Sequence, residues 1–118
     1  MSVRKQDLQA LRDMAAAEEW CSKLAYAVFG IGKSQAPYAV FGIGKSQAAY
    51  KAFDGGLGAA MALHKALLPG WILGWQANGA MWVAKRPYTF QAMPSGGNIA
   101  RAWLLCILDA LIAEADNG

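Results

Sequence analysis

Apolar residues recur with helical spacing at the start and in the centre of the chain. Residues 3–20 place Leu8, Leu11 and Ala15 on one stripe among polar residues, which predicts a first helix that Ser2 can cap. A second helix is predicted over residues 57–68, and Pro69-Gly70 ends it. Its apolar side is predicted to consist of Leu57, Ala60, Met61, Leu67 and Leu68.

The last apolar run, residues 99–115, is interrupted by polar side chains on one side only. Arg101, Asp109 and Asp116 project in nearly one direction, and almost all other residues are apolar. A helix of this kind is buried on more than one side. We expect it to pack on a sheet and also on the second helix or on a second copy of the chain, which favours a homodimer. The loop of residues 95–98 supplies Asn98 as its cap.

Between these helices, residues 71–86 show the two-residue period of a strand pair. Asn78-Gly79 is the preferred pair for a two-residue type I′ turn, which places Trp75 opposite Trp82. We expect the helices to cover the face that carries Trp71, Leu73, Trp75, Trp82 and Ala84. The exposed face would carry Ile72, Gln76, Met81, Val83 and Lys85.

A third strand is predicted over residues 88–93, after Pro87 turns the chain. The elements together predict an α+β fold. In this fold an N-terminal, a central and a C-terminal helix pack on a small antiparallel sheet. The length of 118 residues predicts a single domain, residues 1–118.

A doubled stretch precedes the central helix. Residues 26–36 reappear unchanged as residues 38–48, so residues 26–48 form a tandem duplication with a period of 12. The Tyr-x-x-Phe spacing of both copies returns once more at Tyr50 and Phe53. Solenoid repeats have periods of about 20 residues or more and diverge in sequence. We interpret the identical copies as a recent duplication or an engineered insertion, in which one copy keeps the place of a single original.

Composition narrows the classes of protein. Apolar residues make up 56% and charged residues 16%, which is not the composition of a disordered chain and suggests that some apolar surface meets a partner. The net charge of +3 comes from scattered basic residues, so there is no strong nucleic-acid signal. No run is long enough for a membrane span, and the start lacks an apolar signal segment. Cys21 and Cys106 suggest neither a disulfide framework nor a metal site, so we expect an intracellular protein.

Two segments carry a resemblance to a known family. The segment "AYKAFDGGLGAAMALHKALLPGW" contains a predicted helix that ends in Leu-Pro-Gly-Trp. The segment "ARAWLLCILDALIAE" follows the predicted hairpin. In order and spacing, residues 49–115 resemble small uncharacterised phage and prophage proteins, described as the phage alpha-beta-alpha sandwich domain. The resemblance implies a phage origin, the cytoplasm of a bacterial host and an α+β sandwich. It brings no catalytic residues, and in such relatives the doubled stretch occurs once.

Each copy of the doubled stretch contains Ala-x-x-x-x-Gly-Lys-Ser, the loose form of a phosphate-binding loop. In such a loop a glycine-rich backbone cradles phosphate where a helix begins. The candidate ligand-binding residues are Gly30, Gly32, Lys33 and Ser34 in the first copy and Gly42, Gly44, Lys45 and Ser46 in the second. Pro37 opposes the helix that the first copy needs, whereas residues 47–53 favour one after the second. Neither copy has a partner strand ending in Asp to hold Mg²⁺, so the pattern favours an incidental loop over nucleotide hydrolysis.

The remaining reactive side chains predict no catalytic constellation, no metal site and no cofactor. His64 is the single histidine and lies on the predicted central helix, and the carboxylates lie mostly at helix ends or on exposed faces. Trp71, Trp75 and Trp82 could stack a base, but we favour a place in the core. The exposed hairpin face would then offer a contact surface formed by Gln76, Met81, Lys85 and Arg86.

These expectations combine into a functional hypothesis. We expect a small phage-encoded accessory protein that acts by binding and not as an enzyme. Its partner would be a host protein, such as a component of host defence, or a small nucleotide signal held by glycine-rich backbone and lysine. The alternatives are a phosphate-loop protein that binds or hydrolyses nucleotides and a purely structural phage protein.

Overall fold

Five helices, a three-stranded antiparallel sheet and a two-residue strand pair form the computed structural model, which describes residues 3–29, 39–40, 43–94 and 97–117. The helices are α1 (Val3–Ala16), α2 (Ser22–Phe29), α3 (Lys45–Phe53), α4 (Leu57–Leu67) and α5 (Ile99–Asn117). The strands are β1 (Ala39–Val40), β2 (Ile43–Gly44), β3 (Ile72–Trp75), β4 (Met81–Lys85) and β5 (Tyr88–Ala92). The fold class is α+β, which confirms the prediction.

Helix α5 lies at the centre of the fold. It packs against α1, α3 and α4, and also against β4 and β5 of the sheet. Leu104, Ile107 and Leu108 of this helix are fully buried. The prediction that it is buried on more than one side is therefore confirmed. Because elements of the same chain cover α5, this helix gives no support to a homodimer, which stays a prediction.

Helix α1 is shorter than the predicted residues 3–20. Leu8, Leu11 and Ala15 are fully buried, as predicted. The helix ends at Ala16 because Glu18 adopts the left-handed conformation, with a φ of 63°. The N–H of Glu19 then donates to the carbonyl of Met14 at 2.9 Å, which closes a Schellman turn. Glycine usually marks such a turn in a sequence, and here a glutamate occupies its place.

Helix α4 buries only part of the apolar side predicted for it, since Ala60 and Leu68 are buried but Leu57 and Met61 are not. Its buried residues are Ala59, Ala60, Leu63 and His64, and Leu68 directly after the helix is buried as well. Leu57 and Met61, which were predicted on the apolar side, remain about half exposed. The helix has more apolar residues than one packed face can cover, so these two form a separate exposed stripe.

The hairpin closes through three loop residues, Ala77, Asn78 and Gly79, and not through two. The N–H of Gln76 donates to the carbonyl of Ala80 at 2.8 Å, and Gly79 has a φ of 92°. This is the three-residue loop in which a left-handed glycine follows a turn. As a result Trp75 pairs with Met81, and Gly74 pairs with Trp82. The predicted pairing of Trp75 with Trp82 is wrong by one residue.

This shift exchanges the two faces of β4. A one-residue slip in register moves every side chain of a strand to the opposite face. Met81 and Val83, predicted on the exposed face, are fully buried where α5 packs on β4. Trp82, predicted in the core, lies on the outer face over Gly74, where an added Cβ would overlap the Trp82 ring. The third strand is confirmed as β5, in which Ala92 pairs with Met81.

The two copies of the doubled stretch adopt different structures. Tyr26 to Phe29 of the first copy form the second half of α2, and Ala25 and Val28 of that helix are buried. The equivalent Ala39 and Val40 of the second copy belong to β1, which pairs with β2. The same local sequence therefore forms helix or strand according to what it packs against.

Candidate functional site

The second copy of the phosphate-loop pattern contributes to a strand and a helix start. Gly44 ends β2, and Lys45 and Ser46 are the first residues of α3. The helix predicted after Ser46 is confirmed. Ala39 and Gly44, the first and sixth positions of the pattern, face each other across the β1–β2 pair. Gly30, Gly32, Lys33 and Ser34 of the first copy, and Gly42 of the second, lie outside the described residues.

His64 is committed to two buried hydrogen bonds. The indole N–H of Trp103 donates to His64 Nδ1 at 3.1 Å, and His64 Nε2 lies 3.0 Å from the carbonyl oxygen of Trp71. An indole nitrogen can only donate and a carbonyl can only accept, so the ring is neutral with its proton on Nε2. His64 is only 3% exposed, and its two hydrogen bonds join α4, α5 and the start of the hairpin.

The Cys106 thiol and the Asp109 carboxylate, which lie inside the fold, also have structural roles. Burial raises the pKa of the Cys106 thiol to about 12, so it is not a nucleophile near neutral pH. Its Sγ lies 3.4 Å from the carbonyl oxygen of Met81, to which the S–H donates. Asp109 accepts a hydrogen bond from Arg12 Nε at 2.9 Å, which ties α5 to α1. Burial raises the pKa of Asp109 even though the Arg12 guanidinium opposes the shift.

The predicted contact surface on the hairpin is not one surface. Met81 cannot contribute, because the corrected register buries it completely. Gln76 is exposed and donates to Gln91 Oε1 of β5 at 3.1 Å. Lys85 and Arg86 are exposed near the other end of the hairpin. The predicted contribution of Met81 is therefore corrected, and the remaining three residues do not form an apolar contact face.

An apolar groove lies instead between α4, β3 and the start of α5. It encloses about 320 Å³ and is lined by Leu57, Gly58, Met61, Leu73, Trp75, Ile99 and Trp103. Leu57 and Met61 are one turn apart on α4, and Leu73 and Trp75 alternate along β3 so that both reach the same side. Trp75 is 66% exposed and Met61 46% exposed, whereas Trp103 at the base is 3% exposed.

The groove offers shape and apolar surface without charge. No charged side chain lines it, and the N–H of Trp103 is already engaged by His64. Sequence reasoning placed Trp71 and Trp75 together in the core. Trp71 is buried, whereas Trp75 is one of the exposed side chains that line the groove. Two sequence signals pointed to the groove: the i, i+4 pair of Leu57 and Met61 on α4, and the alternation of Leu73 and Trp75 along β3. Both were interpreted as signs of core positions.

Clusters of metal-ligating side chains and membrane-spanning helices were sought in the part of the chain that the structure describes. Among those residues, no three His, Cys, Asp or Glu side chains come together to hold a metal ion. In the same part of the chain, none of the helices combines the length and hydropathy that a bilayer crossing requires.

A scan against family models, a search of curated proteins and a search of solved structures each find no match to this chain. The resemblance to small phage proteins therefore stays a prediction. A functional conclusion has to rest on the geometry of the fold, in which the apolar groove gathers exposed hydrophobic side chains in one recess.

Proposed function

We propose that this protein is a small phage-encoded accessory protein that acts in the cytoplasm of its bacterial host by binding a host protein through the apolar groove. One observation carries the proposal. Five of the large hydrophobic side chains that remain exposed line this single groove: Leu57, Met61, Leu73, Trp75 and Ile99. Exposed apolar residues scattered one by one need no explanation, but a contiguous cluster is characteristic of a binding surface.

The residue types of the groove suit a protein partner. Tryptophan and methionine are enriched at protein interfaces, and tryptophan is among the residues that most often dominate binding energy. Trp75 stands at the open edge of the groove, and Trp103 forms its rigid base. Because no charged group lines the groove, the segment that enters it must present apolar side chains.

Binding rather than catalysis agrees with how the reactive side chains are used. His64 is held between Trp103 and Trp71, and Cys106 is buried with a raised pKa. Neither lines the groove. A contact that interferes with a host defence component would need only the groove and its apolar rim.

A photo-crosslinking amino acid at position 61 tests the proposal. In host cells, the crosslinker at Met61 is expected to join the protein to one defined partner. Unlabelled wild-type protein should compete for this product, and Trp75→Ala protein should compete at least about tenfold less well, as expected for an interface hot spot. Trp75 is 66% exposed, so its removal should leave the melting temperature nearly unchanged.

Position 72 provides the matched control. Ile72 is 61% exposed on the same strand but points to the opposite face of the sheet, so a crosslinker there should not give the same product. Equal crosslinking from positions 61 and 72, or equal competition by Trp75→Ala, would show that the groove is not the binding surface. A product that contains only two copies of this chain would replace the host partner with a homodimer.

A further inference from the structure

A second recess lies between α2 and α3 and shares no residue with the apolar groove. It encloses about 210 Å³ and is lined by Trp20, Ser22, Ala25, Tyr26, Gln47 and Tyr50. The centroids of the Trp20 and Tyr50 rings are 6.1 Å apart, with 53° between the ring planes. Ala25 is buried, whereas Tyr26 is 45% and Tyr50 50% exposed. Three aromatic side chains thus border one small opening.

The Trp20 ring is held in position from behind. Its centroid lies 5.2 Å from that of Phe53, which is buried at the end of α3. Phe53 in turn lies under the Arg101 guanidinium, whose central carbon is 4.1 Å from the ring centroid. The recess therefore has one fixed aromatic side and two exposed tyrosines at its mouth, which is an arrangement suited to a flat ring.

Polar and charged groups around the recess favour an anionic ligand over a cationic one. Ser22 contributes a hydroxyl and Gln47 an amide that can both donate and accept. On the two helices that line the recess, the exposed Lys23 lies one turn before Tyr26 and the exposed Lys51 lies one turn after Gln47. The nearest acidic residues in sequence are Glu18 and Glu19, and Glu18 is paired with Arg101 at 3.5 Å.

We infer that this recess binds the base of a nucleotide in contact with the rings of Trp20, Tyr26 and Tyr50, with the phosphate towards Lys23 and Lys51. A nucleobase is flat, fits a volume of this size and carries donors and acceptors that Ser22 and Gln47 can meet. Stacking on aromatic side chains tolerates different bases, so we expect nucleotide binding with little base preference. This site does not use the apolar groove, and it does not require the Gly-Lys-Ser pattern to hold the phosphate.

The sequence pattern behind the recess is the recurring Tyr-x-x-Phe spacing. Tyr26 belongs to the first copy of the doubled stretch, Gln47 to the second, and Tyr50 to the fainter echo that follows. In the helices α2 and α3, this spacing points the tyrosine towards the recess while Phe53 packs inside. The repeated Tyr-x-x-Phe spacing therefore occurs on two helices that line the same opening.

Thermal-shift and calorimetric titration with AMP, adenosine, ribose 5-phosphate and inorganic phosphate test the inference. AMP is expected to raise the melting temperature and adenosine to do so less, while ribose 5-phosphate and phosphate have little effect. Added salt should weaken AMP binding more than adenosine binding. Tyr50→Ala should weaken AMP about tenfold or more, and Tyr50→Phe, which keeps the ring, should bind like the wild type.

Trp75→Ala is the matched control, because it removes an exposed aromatic ring outside the recess and should not change AMP affinity. Tyr26→Ala serves as a second recess variant if Tyr50→Ala does not fold. The inference is overturned if AMP does not bind, if ribose 5-phosphate binds as well as AMP, or if both tyrosine variants keep full affinity. Binding of tetramethylammonium in place of AMP would also overturn it, since that result identifies an aromatic cage for cations.

Discussion

At the residue scale, buried polar groups determine how the helices meet. His64 accepts from Trp103 of α5 and contacts the carbonyl of Trp71, so one ring aligns two helices with the hairpin. Arg101 Nε donates to the carbonyl of Phe53 at 2.9 Å, and Asn98 Nδ2 donates to the same oxygen at 3.1 Å. Asn98 Oδ1 also accepts from the N–H of Arg101 at 2.9 Å, which confirms Asn98 as the cap of α5. These bonds hold α3 against the start of α5.

Asp109 gives a prediction about pH. Its pKa is raised in the folded protein by burial, so the unfolded chain releases this proton at lower pH than the folded chain does. As the pH rises from about 4 towards neutral, Asp109 therefore lowers the free energy of unfolding. In Asp109→Asn this contribution is absent. We expect the stability of Asp109→Asn relative to the wild type to rise over this range, measured by urea unfolding at several pH values.

Two controls separate this effect from others. Glu114→Gln removes one carboxylate from an exposed position of the same helix and accounts for the change in net charge. Arg12→Gln removes the cation that opposes the shift, so the pH dependence from Asp109 should become steeper. If the stability of Asp109→Asn relative to the wild type instead falls as the pH rises, the Arg12 ion pair outweighs burial and the assignment is wrong.

At the element scale, turn geometry decides which hairpin residues enter the core. The Asn78-Gly79 pair is compatible with both a two-residue and a three-residue loop, and the two alternatives place opposite faces of β4 on the core. The observed register buries Met81 and Val83 under α5 and lets the Trp82 ring cover Gly74. An aromatic ring over a strand glycine shields the backbone and favours this register.

Deletion of Ala77 tests the loop geometry. The remaining Asn78 and Gly79 would form a two-residue type I′ turn while Gln76 still faces Ala80, so the register and both faces are retained. We expect the free energy of unfolding to change by less than about 1 kcal/mol. Deletion of Gly79 is the control, because Ala77 would then enter a left-handed conformation at about 1–2 kcal/mol. Equal losses in the two variants would contradict the proposed loop.

Helical periodicity and the third strand could be predicted from the sequence because each depends on local spacing. The stripe of Leu8, Leu11 and Ala15 and the nearly all-apolar α5 therefore led to correct positions in the core. The faces of α4 and β4 could not be predicted, because each depends on which neighbour covers it. Met61 and Trp75 have residue types typical of a core and lie at its edge, so the groove was missed. The recess between α2 and α3 was missed because it requires the tertiary placement of two short helices.

At the scale of the whole molecule, the doubled stretch spans the end of α2, the start of α3 and the whole connection between these two helices. The first copy completes α2 with Tyr26 to Phe29, and the second copy begins α3 at Lys45. The intervening residues 30–44 contain the material that a single copy would not need. Connections between packed helices are usually about 2–8 residues long, so this one is unusual in length.

Deletion of residues 26–37 tests this account, because Tyr38 to Phe41 then replace Tyr26 to Phe29 without any change of residue type in α2. Gly42, Ile43 and Gly44 would remain as the connection to α3. We expect a folded protein whose free energy of unfolding rises by roughly 1 kcal/mol, since a shorter connection loses less entropy on folding. The recess should be regenerated with Tyr38 in the place of Tyr26, so the deletion variant should bind AMP like the wild type.

Deletion of residues 27–37, which is shorter by one residue, is the matched control. It shifts the phase of α2, so that Ala39 takes the buried place of Val28 and Tyr38 takes that of Ala27. The lost side-chain volume should lower the free energy of unfolding by about 1–2 kcal/mol, whereas Tyr26 stays in its place at the recess. Far-ultraviolet circular dichroism and urea unfolding of both variants distinguish the possibilities. A deletion of residues 26–37 that unfolds the protein would mean that residues 30–44 belong to the core, because the composition of α2 and α3 is unchanged in that variant.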